Sequence, residues 1–86
     1  MNLWFIRKFP VSNVNPSLRL IRAEDTVIVC EDAVFSFSDL HQKISAQLFV
    51  HAEHSQIRGI TLLPEQAIST DNIAKLIARA KRCITL

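Results

Sequence analysis

The chain predicts a single small α/β domain, layered around a mainly parallel sheet of about four strands. Three observations carry that prediction. Thr26-Val27-Ile28-Val29-Cys30 is strand-forming without polar alternation and stops at Glu31-Asp32. A strand apolar at every position has both faces covered, the habit of a parallel sheet between helices. Short strand-like runs then alternate with helical pieces along the chain, and Ile73, Leu76, Ile77 and Ala80 share one helix face at the C-terminal end. Burying Val27, Ile28 and Val29 contributes about 5–9 kcal/mol before conformational entropy is subtracted.

In order, Leu3–Ile6 is a short apolar strand closed by Arg7-Lys8 and Pro10, and Val11–Asn15 is a polar loop. Asn15-Pro16 starts a helix to about Arg22: Asn caps the free N–H groups, and proline at the first helical position loses nothing. Leu18 and Ile21 face inward, Arg19 and Arg22 outward, and Ala23-Glu24-Asp25 turns into the central strand. The alternation from Val34 to Ser38 fits a strand, while the α/β rhythm favours a helix from near Ala33, and Ser38-Asp39 offers a cap for a helical piece through Ile44. Gln47–Ala52 is the third strand, Glu53–Ile57 a helical turn ended by Arg58-Gly59, and Ala67–Ser69 a short fourth strand. Thr70 or Asp71 caps the last helix.

The 86 residues make one domain, 1–86, able to hide only roughly 60–65% of its unfolded surface. With 49% hydrophobic residues and a mean hydropathy of +0.20, it has apolar side chains to spare, which favours association with other subunits. Trp4, Phe5, Phe9, Phe35 and Phe37 are the expected exposed aromatics, with Phe35 and Phe37 in a subunit contact. A single glycine and the high apolar content exclude a disordered chain, and a net charge of +2 is too small to argue for nucleic acid. No apolar run approaches the roughly 20 residues of a membrane span. Leu3–Ile6 is followed, not preceded, by its basic pair, the reverse of a signal peptide. The two cysteines suggest no disulfide framework, so a reduced, cytoplasmic protein is expected.

Several residues carry chemistry. Cys30 lies at a strand end, where sites cluster, but burial beside carboxylates raises a thiol's pKa and suppresses the reactive thiolate. A structural Cys30 is therefore expected. Cys83 follows Lys81-Arg82, which favours its thiolate. His51 and His54 have the spacing of a helical metal pair, yet His51 belongs to a strand and no third ligand is evident, so no metal or other cofactor is expected. Adjacent strand residues point to opposite faces, so Glu31 and Asp32 cannot flank one bond; a helix cap and a subunit boundary are their expected roles. Lys75, Arg79 and Arg82 line one face of the last helix, a solvated stripe near its C-terminus or a patch for RNA or an acidic partner.

The order of Leu18–Ala33, Phe49–Gly59 and Ile68–Leu86 resembles the DsrH/TusB family of small sulfur-relay subunits. The resemblance rests on a Leu-Arg-Leu helix, an apolar strand ending in Glu-Asp, a Phe-Val strand, an Arg-Gly and a terminal helix. It implies a DsrEFH-like fold and a non-catalytic subunit of a TusBCD- or DsrEFH-like complex, partnered by DsrE/TusD-like and DsrF/TusC-like chains. When alone, such a subunit would form a homodimer. It would be linked only indirectly to tRNA, through 2-thiolation of the wobble uridine. This chain departs from the family pattern at Ala33, where glycine is usual, at His54-Ser55 and at Cys83-Ile84. DsrH-type members carry a cysteine fourteen residues before the Glu of the acid pair, and that position is Ser17. The resemblance thus implies a TusB-type member without the sulfur-carrying thiol. A sulfurtransferase using Cys30 or Cys83, and a free-standing module binding through the basic last helix, are the alternatives.

Overall fold

The structure, a computed structural model of the chain, describes residues 1–8 and 16–86, and the side chains of Pro16 and Ser17 are outside the description. Phe9, the 11–15 loop and the Asn15 cap therefore lie outside the described residues. Five strands form one sheet: β1 (Asn2–Ile6), β2 (Thr26–Val29), β3 (Gln47–His51), β4 (Ala67–Ile68) and β5 (Arg82–Thr85). They lie in the order β4-β3-β2-β1-β5, every pair parallel. The α/β class and the central place of Thr26–Val29 follow the expectation, and all four residues of β2 are buried.

The register explains the layers. Trp4, Val27 and Leu48 stand side by side, as do Ile6, Val29 and Val50. This face packs with Leu18, Ile21, Val34, Phe37 and Leu40 from the crossovers. The opposite face, with Leu3 and Ile28, is covered by Ile73 and Leu76 of the last helix and by Ala80, the residue that ends it.

The sheet of about four strands gains a further edge strand, β5, entered through Arg82; only Ile84 of its four residues turns inward, so no apolar run announced it. Four expectations are corrected. The first crossover is a 3-10 helix, Pro16–Leu20, rather than an α-helix to Arg22. The Arg22 N–H donates to Asp25 Oδ2 at 3.0 Å, which takes the chain out of helical bonding there. After β2 a 3-10 segment (Glu31–Ser36) leads into α1 (Phe37–Lys43), capped by neither Ser38 nor Asp39. The last helix, α3 (Thr70–Arg79), is capped by Ser69, whose Oγ accepts from Asn72 N at 3.2 Å, rather than by Thr70 or Asp71. Ile77, expected on its apolar face, is 48% exposed.

Between β3 and β4 lies α2 (Ala52–Ile57). Gly59 N–H donates to Gln56 O and Ile60 N–H to Ser55 O, the two bonds of a Schellman ending. Gly59 has φ +69°, a left-handed conformation that glycine adopts without side-chain strain. This ending brings Arg58 back toward the sheet edge.

Candidate functional site

The C-terminal ends of the parallel strands converge on one surface, the usual ligand and partner edge of an open α/β sheet. Arg7 follows β1, Cys30-Glu31-Asp32 follows β2, and His54 and Arg58 follow β3 through α2. Arg7, Lys8, Glu31, Asp32 and Arg58 line a cleft of about 340 Å³.

Glu31 is held in a left-handed conformation, φ 51°, by bonds on both sides. Its N–H donates to His54 Nδ1 at 2.8 Å, and its carboxylate pairs with Arg7 Nε. Asp32 Oδ1 accepts from Arg58 Nε at 2.9 Å, while Arg58 Nη1 donates to His54 O at 3.2 Å. The two carboxylates diverge to different arginines, so neither flanks a bond with the other. The hydrogen bond to Glu31, reinforced by its charge, raises the Arg7 pKa above its ordinary value. The helix-cap role expected of one carboxylate is corrected: the segment that Glu31 begins has Cys30 as its N-cap and no side-chain cap bond. Both acids instead tie the edge to arginines 24 and 26 residues away.

Cys30 is buried at 7% exposure, its Sγ 3.6 Å from Ile6 O. Burial first, and the Glu31 charge second, push its pKa up to about 11. Its burial follows the expectation. Cys83 is exposed on β5, beside Leu3 in the register.

The histidines stack face to face, ring centres 3.8 Å apart and planes within 9°. His51 Nδ1 accepts from His54 N at 3.4 Å, so each Nδ1 serves a backbone N–H. Burial, then the neighbouring His54, lowers the His51 pKa. Among the described residues no three His, Cys, Asp or Glu side chains gather to hold a metal ion.

The aromatic expectation splits. Phe35 is 52% exposed and lines a cleft of about 350 Å³ with Ile60, Leu62 and Gln66. Phe37 opens α1 and turns into the core, one turn from Leu40, so its expected exposure is corrected. Trp4, also expected at the surface, is buried, and Phe5 is half-buried on the opposite face. Leu63 and Ile57, at 57% and 78% exposure, belong to the segments that follow β3. The basic stripe is corrected as well: Lys75 and Arg79 lie on α3, but Arg82 begins β5 and faces a different cleft.

Sequence reasoning missed Asp25, which holds three donors at 3.0 Å: Asn2 N on Oδ1, Trp4 Nε1 and Arg22 N on Oδ2. The available signal was Trp4 itself, because a buried indole N–H needs an acceptor. The His54 and Arg58 contacts had no local signal.

Neither the models of known protein families nor the curated proteins give a match to this chain. Among the described residues, no helix is long and apolar enough to cross a membrane.

Proposed function

We propose that this chain is a non-catalytic docking subunit of a sulfur-relay complex of the TusBCD/DsrEFH kind, working in the cytoplasm with DsrE/TusD-like and DsrF/TusC-like chains in tRNA 2-thiolation. The observation that carries the reading is at the sheet edge. Its thiol, Cys30, is buried and held protonated, its acids are engaged by arginines, and Phe35 stands exposed in the 3-10 segment that Glu31 begins. An edge without a free nucleophile but with a half-exposed aromatic suits recognition better than catalysis. The resemblance to the DsrH/TusB family supplies the sulfur-relay context, with Ser17 where that family's thiol would stand. The exposed Cys83 favours one alternative, a sulfurtransferase working from β5. Separation of Arg82 from Lys75 and Arg79 weakens the other, a module binding through the basic face of the last helix.

Sedimentation velocity tests the docking role. Wild-type protein self-associates at high concentration and binds the DsrE- and DsrF-like chains, while Phe35→Ala weakens each association by about 2 kcal/mol or more, roughly 30-fold in Kd. A strictly monomeric wild type that ignores both chains removes the reason to call it a subunit.

A further inference from the structure

At the opposite, N-terminal edge of the sheet lies a larger cleft of about 470 Å³, lined by Arg22, Lys81 and Arg82 with Leu20, Ile84 and Trp4. All three cations are exposed, and among the described residues none has an ion pair, whereas both arginines of the C-terminal edge do. Two carboxylates share the cleft. Asp25 is turned inward, its oxygens taken by Asn2 N, Arg22 N and Trp4 Nε1. Glu24 is exposed, and among the described residues it forms no ion pair. The positive side chains are thus left facing solvent across a concave surface. Leu20 adds an apolar wall, 66% exposed, above the half-buried Ile84.

We infer that this cleft binds a nucleotide phosphate, with Arg22, Lys81 and Arg82 on the phosphate and Leu20 and Ile84 against the base. Two guanidinium forks suit phosphate oxygens, and Lys81 adds a point charge. The volume exceeds what inorganic phosphate fills, and a flat base covers apolar surface that water now meets. The same chemistry is offered by a free nucleotide and by a single strand. This inference concerns the edge remote from Phe35 and does not rest on the sulfur-relay reading.

Trp4 is the chain's only tryptophan and lines the cleft, so its emission is a direct probe. Titrate the whole protein with AMP, with a uridine decamer and with inorganic phosphate, and follow the decamer also by the anisotropy of a fluorescein label. Saturable binding of AMP assigns a free nucleotide; binding of the decamer alone assigns a strand, with a log–log salt slope near −2, about −0.7 per phosphate neutralised. Either supports the inference. Arg22→Gln and Arg82→Gln weaken binding at least tenfold without moving the melting temperature, Arg82→Gln makes the decamer's slope shallower by about 0.7, and Lys75→Gln on α3 changes nothing. Absence of binding by both probes, inorganic phosphate binding as tightly as AMP and the decamer, or affinity indifferent to Arg22→Gln and Arg82→Gln overturns it.

Discussion

Asp25→Ala should lower the stability of this domain by about 3 kcal/mol or more, the largest loss expected of any polar substitution here. The deletion leaves three N–H donors without an acceptor. One belongs to the indole of Trp4, itself only 3% exposed, and a buried orphaned donor costs about 1–3 kcal/mol. A chain of 86 residues has a total stability on the order of 4–13 kcal/mol, so the loss is a large share. Asp25→Asn keeps the shape and one acceptor oxygen, and should fall between the two in urea midpoint. The charge state matters too. Burial alone would raise the Asp25 pKa, but the bonds from Arg22 N, Asn2 N and Trp4 Nε1 outweigh it and lower it. A folded pKa below the unfolded value of about 3.9 means stabilisation that is present above pH 4 and lost as pH falls through the folded value. Asp25→Asn should flatten that acid arm. Urea midpoints for Asp25→Ala equal to wild type would show that the three bonds contribute nothing.

Cys30 should resist alkylation in the folded protein by about two orders of magnitude. At pH 8 a thiol of pKa about 11 is about one part in a thousand thiolate, against about a quarter for an ordinary thiol near 8.5. Iodoacetamide labelling followed by peptide mass mapping should therefore proceed about 200-fold faster at Cys30 in urea than in buffer, before steric protection is added. Cys83, exposed on β5, should be labelled without urea. The raised folded pKa also sets a direction with pH. The unfolded chain releases its proton first, so this contribution to stability is complete below about pH 8.5 and lost as pH rises toward 11. Equal labelling of Cys30 in buffer and in urea would return it to the list of possible sulfur carriers.

How much of this was legible depended on whether a signal was local. Val27, Ile28 and Val29 announced β2 because a strand buried on both faces must be apolar throughout. Gly59 marked the end of α2 because a left-handed residue favours glycine. The edge strand β5 stayed hidden: it needs only Ile84 for packing, and Lys81 and Arg82 precede it. Phe35 and Phe37 looked equivalent as alternating residues. Once Glu31–Ser36 wound into a 3-10 helix leading to α1, one faced solvent and the other the core. At the candidate edge, the acid pair was conspicuous, but its partners Arg7 and Arg58 are 24 and 26 residues distant from Glu31 and Asp32. Only the folded sheet brings those side chains together, and the same holds for Arg22 beside Lys81 and Arg82.

Native mass spectrometry of the assembly recovered from its own cells, through a tag on this chain, tests the docking-subunit reading most directly. The reading predicts this 9.8 kDa chain in one species with DsrE- and DsrF-like chains, its own mass free of added sulfur. Recovery of the chain alone, or of a chain heavier by one sulfur atom mapped to Cys30, would contradict it.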